Sequence, residues 1–386
     1  MLNFEPVRVG VLGLGHISDV YLRMIARSPA LALVGVASTQ AEHSRAVAER
    51  LGCATFDPAA LIACGEIDVV VDLAPAAAHD EVNQAIIGAG KHLYTEKPLA
   101  LGKAHAVRLA DMAHAAGVKV ASAPDTFFGA THQKARALLD EGAIGTPVFG
   151  TAFLGRAGTE YLLPDPEAFY RPGGELPFDI GPYYVVQWIN LLGPIRRVSA
   201  SASGTGASRT VRIGPRTGQT FPVEIPTTYN CLLEFDRTTV VLTLSLDVVR
   251  HGRRHMELYG EKGVLGLANP DFFDGDILVS TDAGDEVISV DDLPLGASNR
   301  LSKVGQPIAD YRGIGLVDLA VAIRTGGEPR ASITLAVHVA EVLEAIRDSA
   351  LSCETVRISS ACERPVPIGQ GLGDDRLLFL AASPFD

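Results

Sequence analysis

Residues 7–12, Val-Arg-Val-Gly-Val-Leu, form a short apolar run that passes directly into Gly13-Leu14-Gly15-His16-Ile17-Ser18 and then into an amphipathic stretch. No other feature restricts the fold as strongly. A strand that ends in Gly-x-Gly and continues as a helix makes a tight turn with backbone N–H groups exposed. Those groups and the helix N-terminus form a seat for a pyrophosphate. Ser18 stands where a third glycine usually lies and is small enough to pack. Further apolar runs occupy residues 31–37, 69–73, 92–95 and 118–122, and helical patterns occupy 17–26, 42–50, 79–89 and 103–115. Strands that are apolar on both faces and alternate with helices predict a doubly wound α/β domain over residues 1–125.

Past Pro124 the texture changes. A helix is expected over 132–140 and another over 182–192. Strand-like runs then follow at 195–200, 228–235, 238–248, 255–259 and 264–268, without long helices between them. This order predicts an α+β domain over residues 126–386 with a large, mostly antiparallel open sheet. The stretches 201–219 and 271–292 read as surface hairpins and loops, and two late helices are expected at 318–324 and 334–348.

The chain has 386 residues, enough for two cores, and a formal charge of −12. That charge argues against nucleic acid or an anionic membrane as a partner, so a bound phosphate would have to rely on local donors. The five cysteines are scattered, with no metal-ligand or Cys-x-x-Cys spacing, which fits a reducing compartment. The N-terminus shows no signal segment, and the longest apolar run, 69–78, contains Asp72 and Pro75. A soluble cytoplasmic protein is expected. His79, His92 and His255 lack ligand spacing, and no metal is expected.

A second short motif carries the chemistry. Residues 92–95 run into Glu96-Lys97-Pro98, which puts a lysine where a nicotinamide ring would lie. An ammonium there can hydrogen-bond a substrate oxygen and stabilise developing alkoxide charge. Glu96 is expected to neutralise or orient it. Downstream, Asp179-Ile180-Gly181-Pro182-Tyr183 fits a helix start with Asp179 near the N-cap and Tyr183 one turn on. Asp179 would hold hydroxyls and Tyr183 would exchange a proton, its pKa lowered by Lys97. The second strand ends in Ser38-Thr39 with no carboxylate, so NAD and NADP are both admissible. Ser38 and Thr39 as donors to a 2′-phosphate favour NADP.

These segments, with Pro75-x-x-x-His79, Ala89-Gly90-Lys91-His92, residues 140–145, residues 173–183 and residues 257–263, resemble the glucose–fructose oxidoreductase/inositol dehydrogenase (Gfo/Idh/MocA) family across nearly the whole chain. The resemblance implies NAD(P)-dependent oxidation or reduction of a sugar or sugar derivative. It implies cofactor contacts from Gly13, Gly15, His16, Ile17, Ser38, Thr39, Pro75, His79, Glu96 and Lys97. It also implies substrate contacts from Lys97, Asp179 and Tyr183. Tyrosine rather than histidine at 183 is similar to the branch acting on aldoses and keto-sugars. Phe127 stands where many members carry arginine and would either stack on a sugar or pack in the core. Glu175 is a further candidate for substrate hydroxyls. Relatives commonly pair through the antiparallel sheet, which implies a homodimer or homotetramer. Two other readings stay open: a non-catalytic cofactor-binding regulator, and a glycosidase working by transient oxidation and elimination.

Overall fold

The computed structural model describes residues 5–302 and 305–369. Residues 1–4, read above for a signal, and the end of the expected second domain lie outside the described residues. The first layer is a parallel sheet of six strands: β1 (Val7–Leu12), β2 (Leu31–Ala37), β3 (Ala54–Phe56), β4 (Val69–Asp72), β5 (His92–Thr95) and β6 (Val120–Ser122). Their order is β3-β2-β1-β4-β5-β6. Helices α1 (Ser18–Arg27), α2 (Ala41–Leu51), α3 (Pro58–Ala63), α4 (His79–Gly88) and α5 (Lys103–Ala116) connect them. The expected doubly wound domain is present, with one more strand than the five anticipated. β3 escaped notice because it is three residues long, pairs only with β2 and has no buried position. Its Phe56 ring fills the space where a side chain at Gly35 would stand.

The strand order reverses at β1, which lies between β2 and β4. Successive connections leave on opposite sides there, opening a crevice beyond the carboxyl ends of β1 and β4. The glycine turn after β1, the Leu73–Pro75 turn after β4 and Lys97 after β5 all lie along that edge.

The second layer is a nine-stranded sheet in the spatial order Gly284–Ile288, Ile277–Thr281, Gly263–Leu267, Met256–Gly260, Pro147–Gly155, Thr239–Ser245, Thr228–Glu234, Arg197–Ser203, Val356–Arg357. All neighbours are antiparallel except Pro147–Gly155 with Thr239–Ser245. Pro147–Gly155 was not recognised as a strand because Pro147, Gly150 and Gly155 interrupt its apolar pattern. Gly150 has a packing reason: a Cβ there would meet the Trp188 indole at 2.9 Å. From Thr239 to Leu244 the residues alternate: Val240, Leu242 and Leu244 are buried while Val241 is 46% exposed. α6 (Ala130–Asp140) packs on α8 (Gly181–Leu192), and the inner face packs on α7 (Leu176–Asp179), α8 and α10 (Ile333–Ser352), with Trp188 wholly buried.

The expected division at residue 125 is crossed by the late helices. α9 (Ile314–Thr325) and α10 pack back on β6, and α10 lies along α5. Lys103 of α5 pairs with Glu341 of α10 at 2.8 Å, and Ala121 bridges Ser332. The two layers therefore share one interface, centred below the Lys97 turn.

Two buried histidines link this packing to pH. His338 Nε2 accepts the Ile195 N–H at 3.0 Å, which requires a neutral ring, and burial holds the side chain down to about 4. Burial likewise holds His132, against the Phe272 carbonyl, at about 4. Both folded values lie below the unfolded value near 6.5, so the unfolded chain takes up protons first as the pH drops. The stability they contribute is complete above pH 6.5 and is lost as pH falls toward 4, roughly 3 kcal/mol per histidine at most. Asp125, raised to about 6 by burial, works in the opposite direction between about pH 4 and 6. A comparison with His338→Gln isolates one histidine: urea unfolding should show a smaller loss of stability between pH 6.5 and 4.5 in the variant than in the parent chain.

Candidate active site

Gly13 has φ +98°, and a Cβ there would lie 2.6 Å from the Leu73 backbone, so the turn excludes any side chain. Gly15 has no heavy atom within 4 Å of its Cβ position, which leaves open space in front of α1. Ser18 is buried, with its hydroxyl on the Gly15 carbonyl at 2.7 Å. An open glycine turn at a helix N-terminus fits a dinucleotide pyrophosphate. His16 and Ile17 form the turn before α1, and Pro75 starts the facing turn. His79 is buried between two carbonyls, Ala74 at 2.8 Å and Pro98 at 2.9 Å, and so ties the β4 turn to the Lys97 segment. At the end of β2 the Ser38 hydroxyl is engaged with Ser44 at 2.8 Å and with Gln40, while Thr39 is exposed.

Lys97 joins the two layers. Its Nζ donates to the Asp179 carboxylate at 2.9 Å and to the Asp179 carbonyl at 2.5 Å, and its side chain is 16% exposed. Burial opposes the charge, but the carboxylates around it, Asp179 first and Glu96 after it, outweigh it and hold the ammonium above the usual lysine range. Glu96 adds its negative charge to the surroundings of that ammonium and orients the residue through its backbone. One of its oxygens takes the Lys97 backbone N–H at 3.0 Å and the other the Tyr21 hydroxyl at 2.6 Å, so it shapes the turn. Asp179 lies next to the N-cap of α8, as expected, but that helix has no side-chain cap bond. Asp179 ends the short α7, Ile180 precedes α8, and the Asp179 carboxylate is spent on Lys97.

Tyr183, in the first turn of α8, lies between two cations. Lys97 Nζ is 5.5 Å and the Arg312 guanidinium carbon 6.0 Å from its ring centroid. The expected lowering of its pKa does not occur. Burial and the Asp271 carboxylate raise it, and together they exceed the lowering by Lys97 and Arg312. Tyr183 therefore keeps its proton tightly.

Asp271 and Arg312 escaped the sequence reading. Arg312 Nη2 donates to the Asp271 carboxylate at 2.6 Å and to its carbonyl at 2.7 Å, and Nη1 donates to Asp310 at 2.8 Å. Burial raises the Asp271 pKa while Arg312 and Lys97 pull against it. Asp125 fixes the arginine's segment by accepting the Gly313 and Gly315 N–H groups at 2.8 and 3.0 Å and the Tyr94 hydroxyl at 3.1 Å. Asp271 sits in a stretch read as surface loop, and neither residue belongs to a short motif.

Two expected substrate residues are used elsewhere. Phe127 is 1% exposed, its ring 4.5 Å from that of Phe128, and it packs in the core. One Glu175 oxygen accepts the Gly173 N–H at 2.8 Å and so closes the loop before α7.

Comparison with known proteins accords with this arrangement. Residues 7–123 match the oxidoreductase family with an NAD-binding Rossmann fold, and residues 132–266 match the Gfo/Idh/MocA C-terminal domain. The chain belongs to the Gfo/Idh/MocA family. A family member from Streptomyces violaceoruber, dTDP-3,4-didehydro-2,6-dideoxy-alpha-D-glucose 3-reductase, is 34% identical over 146 residues, 36% of this chain and 43% of that protein. The match thus spans less than half of that relative. The enzyme of the same name from Saccharopolyspora spinosa is 28% identical over 340 residues, 83% of this chain and 93% of that protein. Among solved structures, a levoglucosan dehydrogenase in complex with NADH and L-sorbose shares the fold with a TM-score of 0.79 at 20% identity. That alignment covers 92% of this chain and all of that one. The Gfo/Idh/MocA fold thus accounts for both layers.

Removing Arg312 leaves two buried carboxylates, Asp271 and Asp310, short of a partner. Arg312→Gln should cost roughly 3 kcal/mol in urea unfolding. The double variant Arg312→Gln/Asp271→Asn should recover part of that loss, giving clear non-additivity in a double-mutant cycle.

Proposed function

We propose that the chain is an NAD(P)-dependent oxidoreductase that transfers a hydride between the nicotinamide and a CH–OH/C=O carbon of a sugar or sugar derivative. The observation that carries this reading is the meeting of Lys97 with Asp179 and Tyr183, residues 82 and 86 positions away on the other layer, beside the crevice. A nicotinamide bound in the crevice would supply the hydride donor or acceptor. The protein's part is to hold the substrate oxygen near Lys97, whose fixed positive charge stabilises the oxyanion. Tyr183 exchanges the proton on that oxygen. A phenol held protonated by burial and Asp271 suits donation to a forming alkoxide, as carbonyl reduction requires. Asp179 keeps Lys97 charged and orients it.

Gly13, Gly15, His16, Ile17, Pro75 and His79 would frame the cofactor, as their places on the crevice edge support. The absence of a carboxylate at Ser38-Thr39 leaves room for a 2′-phosphate, so NADP stands beside NAD as cofactor. Cytoplasmic residence remains our reading of the composition. An NAD⁺/NADP⁺ reduction screen over aldoses, cyclitols and anhydrosugars, with the reverse assay on keto-sugars, tests the proposal. Lys97→Met and Tyr183→Phe should each lower kcat by about 10²-fold or more while cofactor fluorescence titration still shows binding. Binding without turnover on every substrate would instead favour a regulator.

We further propose that copies pair through the outer face of the large sheet. Phe149 and Val241 are 43% and 46% exposed there, Leu232 lies beside Val241, and Phe149 stacks on Tyr259 at 4.4 Å. Exposed Phe149, Val241 and Leu232, set among polar neighbours such as Thr151 and Asn230, favour burial of this face against another copy. Val241→Glu should shift the chain to monomer in size-exclusion chromatography with light scattering.

A further inference from the structure

One arginine beside the site stands outside its ion pairs. Arg156 follows directly on the strand Pro147–Gly155, and Asp271 follows shortly after Gly263–Leu267. Met256 pairs with Ala152 on one side and with Leu267 on the other, so both strands leave the sheet at the same end. The Arg156 backbone is fixed there. Its N–H donates to the Ser245 carbonyl at 3.1 Å, and its carbonyl accepts the Val248 N–H at 3.3 Å. Lys97, Asp179 and Asp271 each keep part of the side chain open to solvent, so this end of the sheet borders the space a substrate would enter.

The other cations here are matched: Lys97 by Asp179, and Arg312 by Asp271 and Asp310. The half-buried Arg156 side chain makes no ion pair or hydrogen bond among the described residues, and its Nε is shut off from water without an acceptor. The acid on the adjoining segment is already engaged, since Asp247 holds Arg209, Thr205, Thr227 and Thr228. Residues 248–256 contain no acid, and Arg250, Arg253 and Arg254 among them are exposed and form no ion pair. The guanidinium nevertheless acts on the site. Burial raises both the Tyr184 phenol and the Asp271 carboxyl, and Arg156 pulls against it in each. A fixed charge that is partly withdrawn from water and has no counter-ion is costly to hold, and an anion beside it removes that cost.

We propose, resting on the oxidoreductase reading, that Arg156 receives an anionic substituent of the sugar, a carboxylate or a phosphoryl group, and so selects acidic sugars as substrates. A guanidinium offers two parallel N–H donors that match two oxygens of either group. Lys97, already neutralised by Asp179, offers an anion less than Arg156 does. Asp271 stands within electrostatic reach of both Lys97 and Arg156, so its charge disfavours an anion at the reacting end. The two ends of the sugar are thereby told apart, with the neutral CH–OH at Lys97 and Tyr183 and the anion at Arg156.

D-gluconate, D-glucuronate and D-glucose 6-phosphate are the probes, with D-glucose as the neutral control, each titrated calorimetrically into the full chain. Four proteins are compared: parent, Arg156→Gln, Arg156→Lys, and Arg253→Gln/Arg254→Gln. Arg156→Gln leaves no carboxylate without its partner, so its urea unfolding should match the parent. The proposal expects the parent to bind at least one acidic sugar, Arg156→Gln to bind it at least tenfold more weakly, and Arg156→Lys, which keeps the charge and loses the fork, to fall between. The exposed-pair variant should bind as the parent does. The responding probe tells carboxylate from phosphoryl. No acidic sugar bound by the parent, equal binding by Arg156→Gln, or loss in the exposed-pair variant alone overturns the proposal. These titrations register no hydride transfer, so the two readings fail separately. An acidic sugar bound through Arg156 and never turned over upholds the anion site and overturns the oxidoreductase reading. Turnover of neutral sugars alone, unchanged in Arg156→Gln, does the reverse. Where acidic sugars turn over, Arg156→Gln should raise KM tenfold or more with kcat little changed.

Discussion

The candidate site depends on one buried ammonium group. Lys97 belongs to the parallel layer by its backbone, but the groups that keep it charged, Asp179 above all, belong to the other layer. An ammonium that is largely removed from water is stable only with a counter-charge and a full set of acceptors. The same contact therefore docks the two layers and prepares the chemistry. His79 and Glu96 complete it from below by fixing the backbone on either side of the lysine.

Around that contact the charges form an alternating cluster: Lys97 beside Asp179, Tyr183 between Lys97 and Arg312, Asp271 and Asp310 on Arg312. No single pair in such a cluster sets a proton affinity. Tyr183 has two cations nearby and still holds its proton more tightly than free tyrosine, because burial and Asp271 outweigh them. The balance ties the behaviour of the phenol to residues far away in sequence, and to how much water the crevice admits.

How much of this was legible beforehand follows from how local each signal is. The glycine turn, the Lys97 turn and the Asp179-to-Tyr183 spacing are written within a few residues each, and the structure brings them to one edge. The family likeness rested on the same local motifs. For Glu96 and Asp179 the local motif gave the place but not the far partners, since Glu96 also accepts the Tyr21 hydroxyl and Asp179 accepts the Lys97 ammonium. Asp271 and Arg312 could not be read at all, since Arg312 reaches Tyr183 through the packing of Gly313 on Met24 and the hold of Asp125 on Gly313 and Gly315, and Asp271 arrives by its pairing with Arg312. β3 and Pro147–Gly155 were missed for a related reason. Their residues are chosen for an edge position and for contact with Trp188, not for hydrophobic alternation.

The one parallel pair in the large sheet has a consequence of its own. Strands Pro147–Gly155 and Thr239–Ser245 run side by side in the same direction, so the chain must travel back the full length of the sheet between them. That return path begins with the loops, α7 and α8, and thus holds Asp179 and Tyr183. The path also contains two strands of the same sheet, Arg197–Ser203 and Thr228–Glu234, and the buried α8, so its freedom to change length lies in the loops before α7. Changes confined to those loops would reshape the approach to Asp179 and Tyr183 and leave the cofactor layer and the sheet as they are.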